Sequence, residues 1–190
     1  MSITLNSEQK KAITCPCSHL LVLAGAGTGK TGVLTRRINF FIKELKLHPP
    51  SILALTFTNK AANEMRERAI SLCQQAQLTH LSTFHSFGAY FLRRYAKQMH
   101  LSPTFSIYDD DESLSVFKSL YPHEPLNQLK IWQQAISRLK DQAITVHDIL
   151  GQPTSIERLG TVYAAYQQSL SDNQAVDFSD LILKPLMFLN

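Results

Sequence analysis

Cysteine is scarce in this 190-residue chain: Cys15, Cys17 and Cys73 are the only three, an odd number with no C-x-x-C spacing. That excludes a disulfide-stapled secreted scaffold, fits a reducing compartment and leaves all three cysteines to be read as packing residues. Long apolar runs are missing too. No stretch approaches the roughly 20 residues that a bilayer-spanning helix needs, and the N-terminus lacks a basic segment followed by an apolar one and a cleavage site. The expectation is a soluble, unsecreted chain. Glycine (7) and proline (8) are ordinary in number, and 18% charged residues stand against 44% hydrophobic ones, which rules out collagenous and disordered classes. At roughly 150 residues per domain the length allows one large domain or two small ones.

What is present is unevenly spread. Residues 1–100 carry 13 Lys+Arg against 4 Asp+Glu and residues 101–190 carry 6 against 11, so the net +4 hides halves of +9 and −5. A basic half suits a polyanion such as nucleic acid or nucleotide. Solvated helix faces would account for the same charge, so the decision falls to the motifs.

The pattern of elements changes along with the charge. Asn6-Ser7-Glu8-Gln9 has a capping residue with Gln three positions on, the start of a short helix. Leu20 to Leu23 is a continuous apolar run, predicting a strand buried on both faces. After the glycines at 25, 27 and 29, Leu34, Ile38, Phe41, Ile42 and Leu45 have helical spacing that stops before Pro49-Pro50. Strand then helix recurs with Ile52 to Leu55 and the stripe Ala62, Met65, Ala69, Leu72. It recurs again with His80 to Thr83 and the stripe Phe84, Phe87, Gly88, Phe91, Leu92, Tyr95, which makes Phe84 a core residue. The expected fold class is therefore α/β, a parallel sheet with helices, whose loops gather at the carboxyl ends of the strands. Beyond about residue 100 the sequence reads as helix after helix with no convincing strand, which predicts an all-helical subdomain. Asp109 to Glu112, after the alternating Phe105 to Tyr108, suits a helix start rather than an acidic catalytic motif, and Asp177 and Asp180 read likewise as structural.

The most specific local signal is Ala24-Gly25-Ala26-Gly27-Thr28-Gly29-Lys30-Thr31, set between a predicted strand and a predicted helix. Its glycines allow a tight turn that aims backbone N–H groups and a helix N-terminus at a β-phosphate; Lys30 would neutralise β- and γ-phosphate charge and Thr31 would hold Mg²⁺. The first position departs from the strict pattern, being Ala24 rather than Gly. Thr56-Phe57-Thr58-Asn59-Lys60-Ala61-Ala62 follows the second strand and Ser82-Thr83-Phe84-His85-Ser86 the third. An aromatic, hydroxyls, an amide, a Lys and a His at adjacent strand ends are what a single-strand binding groove uses.

Taken in order, Leu5-Asn6-x-x-Gln9, Ala24 to Thr31, Leu55 to Met65 with Arg66 and Arg68, Ser82 to Ser86, and Asp177-Phe178-x-Asp180-Leu181 resemble the N-terminal part of UvrD/Rep/PcrA-type superfamily 1 DNA helicases. The resemblance covers nearly the whole chain. It implies ATP-driven translocation on single-stranded DNA, with residues 1–88 as the incomplete RecA-like domain 1A and 89–190 as the helical 1B subdomain. By it, Gln9 reads adenine, residues 24–31 hold ATP with Mg²⁺, and Phe57, Asn59, Lys60, Thr83 and His85 line a DNA groove. Arg93 joins them because it shares with His85 the helix face opposite the apolar stripe. Rival readings stay open: Gln9 as only a capping-box residue, Phe57 as core, His85 as a buried, merely hydrogen-bonded histidine.

Two departures matter. Such helicases commonly carry Arg directly after Gly-Lys-Thr, packing on the adenine, where this chain has Gly32. The family's next motif, a strand ending in Asp-Glu, does not follow before Asn190, and the arginine finger and second motor domain are missing as well. The expectation is thus the 1A/1B portion of a helicase, truncated or fragmentary. It would bind ATP and single-stranded DNA or DNA junctions in the bacterial cytoplasm, with no membrane partner, and hydrolyse poorly. A non-catalytic nucleotide-dependent DNA- or protein-binding module is the alternative, and a small-molecule P-loop kinase a weaker one.

Overall fold

The computed structural model describes residues 5–25, 27–150, 156 and 158–190. Ala26 of the glycine-rich loop lies outside the described residues. Two compact units are present, Met1–Phe84 and His85–Asn190, and each has a core of its own.

In the first unit, α1 (Ser7–Thr14) opens with a complete capping box: Asn6 Oδ1 accepts the Gln9 N–H at 2.8 Å and Gln9 Oε1 accepts the Asn6 N–H at 3.0 Å. Two of the helix's orphan donors are thereby satisfied. Helix α2 (Lys30–Lys43) buries Thr35, Ile38, Asn39 and Ile42, a single stripe at helical spacing. Strand β1 (Leu53–Thr56), α3 (Asn59–Leu72) and β2 (His80–Thr83) complete a βαβ crossover, with β1 and β2 parallel and Thr56 opposite Thr83. The core between them is Ile38, Ile42, Ile52, Ala54, Met65, Ala69, Cys73, Ala76 and Leu81.

Two expectations need correction here. Leu20 to Leu23 forms no strand, and Leu21 and Leu23 are 82% and 87% exposed. A parallel strand holds only when a neighbour completes its hydrogen bonds, and among the described residues of this unit the sole strand pair is β1 with β2. The cysteines do not all pack. Cys73 is buried, but Cys15 and Cys17 form a disulfide outside the core, their Cα atoms 5.5 Å apart. Side chains two apart in extended backbone project to one side, and with α1 ended at Thr14 neither has a core to enter.

The second unit contains the remainder of α4 (Phe84–Arg94), then β3 (Ser106–Tyr108), α5 (Asp110–Leu120), α6 (Leu126–Asp141), α7 (Val146–Ile149), α8 (Leu159–Asp172), β4 (Ala175–Asp177) and α9 (Asp180–Leu189). It is not all-helical: β3 and β4 pair in parallel, Ser106 with Ala175 through Tyr108 with Asp177. Three-residue strands with Ala175 and Val176 fully buried are too short to show an alternation. Asp109 caps α5 through the N–H groups of Asp111 and Glu112, both at 2.9 Å, as its acidic run predicted. The main core joins Phe117, Trp132, Ile136, Val162, Tyr163, Tyr166 and Leu170. A smaller cluster packs Ala89 and Leu92 of α4 on Phe105, Val176 and Leu181. Phe84, expected in the core, is half exposed, because the buried stripe of α4 begins at Gly88. Among the described residues no helix is long and apolar enough to cross a membrane.

Candidate nucleotide site and nucleic-acid surfaces

The glycine-rich loop ends in a left-handed turn. Gly27 and Gly29 have φ of 73° and 86°, a conformation that costs a residue with a Cβ about 1 kcal/mol or more. Gly29 is the N-cap of α2, and the first backbone bond of the helix runs from the Val33 N–H to the Gly29 carbonyl at 3.0 Å. Ahead of it, the N–H groups of Lys30, Thr31 and Gly32 are the helix's orphan donors, at its positive end. The Lys30 ammonium reaches back to the carbonyls of Ala24 (3.0 Å) and Gly25 (2.6 Å), and the Thr28 hydroxyl donates to Gly25 O at 2.8 Å. Gln9 joins α1 to this loop: its Nε2 donates to Thr28 O at 3.1 Å, so the capping-box role and a place beside the loop coexist.

A cleft of about 650 Å³ opens between these groups, lined by Asn6, Gln9, Gly25, Thr28, Lys30 and Arg37 among others, within the range of small-molecule sites. Neither arginine after Gly32 takes over as a base-facing group. Arg36 folds back onto Gly32 O at 3.2 Å. Arg37 holds the end of α1 by donating to the carbonyls of Ala12, Ile13 and Cys15 at 2.6, 3.2 and 3.1 Å. For a metal, the loop offers the Thr31 hydroxyl, a hard oxygen donor; among the described residues no group of three His, Cys, Asp or Glu side chains is placed to hold an ion. That donor set suits a Mg²⁺ that arrives on phosphate oxygens.

At the carboxyl end of β1, Thr58 caps α3 by accepting the Ala61 N–H at 3.2 Å, and the Thr56 hydroxyl donates to Thr58 O at 3.1 Å. Phe57, between two tied threonines, is 88% exposed. The core reading of Phe57 is thus excluded, and a bare aromatic face stands beside Asn59 and Lys60 in the exposed first turn of α3. Thr83, at the adjacent end of β2, is buried at 6% exposure, so its side chain is not presented to a ligand as Phe57 is.

In the second unit His85 is part-buried, with its ring 5.5 Å from that of Phe178. What brings them together is Gly88: a Cβ there would lie 1.8 Å from the Leu181 carbonyl oxygen, so α4 and α9 meet backbone to backbone one turn from each ring. Phe178 is 53% exposed and was not among the predicted site residues. The signal for it was an aromatic between two helix-start acids, outside the apolar stripe of α9. Arg93, exposed two turns along α4, lays its guanidinium 5.2 Å from the centre of the Phe105 ring.

Sequence reasoning also missed Lys140. Its side chain is fully buried and its Nζ pairs with Asp177 Oδ2 at 2.7 Å and Asp180 Oδ1 at 2.9 Å. Tyr166 donates to the same Asp177 oxygen at 3.0 Å, and burial, with Asp177 beside it, pushes its phenol well above the usual range.

A glycine-rich turn feeding a helix that starts Lys-Thr, in a unit that also holds a parallel βαβ crossover, carries the pattern of a P-loop protein, without a described strand ahead of the turn. The chain belongs to the UvrD/REP helicase N-terminal domain family, whose model matches residues 5–190. It is 40% identical to the ATP-dependent DNA helicase PcrA of Staphylococcus aureus (strain Mu50), in an alignment of 186 positions covering 94% of this chain and 26% of that protein. The PcrA of Staphylococcus epidermidis (strain RP62A) matches with the same identity and coverage. The chain thus spans about a quarter of the length of these relatives.

Proposed function

We propose that this chain supplies the ATP-binding loop and part of the single-stranded DNA surface of an ATP-dependent DNA helicase, with residues 1–88 as the incomplete motor domain 1A and 89–190 as subdomain 1B. The observation that carries the reading is the convergence of Gln9, Lys30 and the amino end of α2 on one cleft. The amides of that first turn and the Lys30 ammonium take β- and γ-phosphate oxygens, Lys30 exchanging two loop carbonyls for a charged partner. Gln9 offers an amide edge to adenine, and Thr31 a hydroxyl to the Mg²⁺ that the nucleotide brings and that offsets phosphate charge. Bases stack on Phe57 in the first unit and on Phe178 with His85 in the second, while Asn59, Lys60 and Arg93 meet phosphates.

By itself the chain binds MgATP and single-stranded DNA, hydrolyses little ATP and unwinds nothing. Phosphoryl transfer depends on fixed charge around the leaving phosphate, of which an arginine finger alone is worth about 10³–10⁵ in rate. In the proposed reading the arginine finger and the second motor domain belong to the rest of the helicase, which acts on DNA junctions. A motor fed by ATP and acting on DNA works in the bacterial cytoplasm. The test is calorimetric titration of MgATP and of oligo(dT) into the parent chain, Lys30→Ala and Phe57→Ala. Lys30→Ala should abolish measurable nucleotide binding and leave DNA binding intact, with Phe57→Ala doing the reverse in weaker form. Equal ATP affinity in Lys30→Ala would sink the nucleotide assignment.

A further inference from the structure

We infer that Lys140 is a positioning residue for Phe178, fixing from a neighbouring helix the ring on which a nucleic-acid base stacks; this rests on the DNA reading of Phe178 and His85 given above. Phe178 lies between β4 and α9, and each of its neighbours is tied down while its ring is left out. Asp177 Oδ1 accepts the Asp180 N–H at 2.9 Å, closing a turn around Phe178. Lys140 Nζ bridges the two carboxylates, at 2.7 Å to Asp177 and 2.9 Å to Asp180. Ser179 donates to Asp141 Oδ1 at 2.9 Å and lies 3.1 Å from the Ser137 hydroxyl.

Ser137, Lys140 and Asp141 share one face of α6, so that helix grips residues 177, 179 and 180 and skips 178. Tyr166 completes the grip. Its hydroxyl reaches Asp177 at 3.0 Å, its ring stacks on Phe117 with centroids 4.5 Å apart, and the Lys140 ammonium sits 5.3 Å from its centre. Stability alone does not call for this arrangement, because apolar side chains of similar volume often replace a buried ion cluster at no loss. Three charges in the interior, one carboxylate oxygen of Asp180 having no hydrogen-bond partner among the described residues, are accounted for by geometry: two carboxylates bracketing an aromatic are held on one ammonium.

The experiment is fluorescence anisotropy of labelled oligo(dT) with the full chain over a salt series, for Phe178→Ala, Lys140→Met and Tyr166→Phe, and for the last two combined with Phe178→Ala. Phe178→Ala should weaken binding about 10-fold and leave the slope of log affinity against log salt unchanged, since no phosphate contact is lost. Lys140→Met and Tyr166→Phe should weaken binding in the same salt-independent way, and neither should weaken it further in the Phe178→Ala background. Such masking is not produced by a general loss of structure. Tyr166→Phe keeps the ring stack and decides the matter if Lys140→Met does not fold. Losses that add to that of Phe178→Ala, or folded variants that bind like the parent, overturn the positioning role and leave the stacking surface standing. Parent-like binding by Phe178→Ala removes the stacking surface and the positioning role with it.

Discussion

Gly88→Ala tests the backbone contact that assembles the second unit's surface. The added Cβ would lie 1.8 Å from the Leu181 carbonyl oxygen and 2.8 Å from its carbon. An ordinary carbon–oxygen contact is about 3.3 Å, so α4 and α9 would have to part by roughly 1.5 Å. The obstacle is main chain and cannot rotate aside. Overpacking of this kind costs about 3 kcal/mol, of which alanine's better helix propensity offsets about 1. A net loss of about 2 kcal/mol lowers Tm by about 8 °C in a unit of roughly 100 residues. His85 and Phe178 each stand three residues before the clash, so their rings should move from 5.5 Å to about 7 Å, the outer limit of aromatic pairing. Thermal denaturation by circular dichroism and oligo(dT) anisotropy read the two consequences separately. A Gly88→Ala chain that melts with the parent and binds DNA with the parent's affinity would refute the contact and the surface built on it.

Asn39 is buried in α2, and neither polar atom of its amide has a partner among the described residues. Because an unsatisfied buried polar group costs about 1–3 kcal/mol, Asn39→Leu should raise the chemical-denaturation midpoint; a lowered midpoint would show that the amide is paired. Burial first, and then Asp180 and Asp177, push the phenols of Tyr163 and Tyr166 above their ordinary 10.0. The folded form keeps protons that unfolded tyrosines release, so this contribution is complete below pH 10 and declines as pH rises beyond it. Alkaline difference titration against Tyr163→Phe and Tyr166→Phe should find both groups ionising only as the unit unfolds, and reversible ionisation near 10 in folded protein would contradict their burial. Asp148 accepts the Thr145 hydroxyl and N–H, which hold its carboxyl below the usual 3.8. Its stabilising effect is complete above 3.8 and lost as pH falls through the lowered value. An NMR carboxyl titration with a midpoint at or above 3.8 would exclude the capping box.

Local chemistry was legible where it acts over a few residues. The capping box at Asn6, the helix start at Asp109, the tight glycine turn before Lys30 and the alternation of β1, α3 and β2 follow from spacing alone, because each is settled within one or two turns of chain. Leu20 to Leu23 shows the limit of that reasoning. Its apolar side chains specify a buried environment, whereas a strand also needs hydrogen-bonding neighbours that no local pattern encodes. The β3–β4 pair escaped for the opposite reason. Its partners are about 70 residues apart and three residues long, so neither carries a periodic signal, and they are defined only by the core that closes over Val176.

The site divides along the same line. Lys30 is legible from its motif and Gln9 and Phe57 from the resemblance, and each is held by neighbours in the chain: a glycine turn, a capping box, a pair of threonines. Phe178 is held by Lys140, 38 positions away, and meets His85 only because a glycine lets two backbones touch. A lysine in the middle of an amphipathic helix reads as a solvated face, and Asp177 and Asp180 read as helix-start acids. Each reading is sound for its own residue, and Asp177 does accept the N–H of Asp180, the first residue of α9. What none contains is the third dimension, in which the ammonium on α6 and the two acids at the start of α9 are one object. Residues whose role depends on such an object become visible only once the fold has brought its parts together, which is why Lys140 is the substitution that would reveal most about how the second unit holds an exposed aromatic.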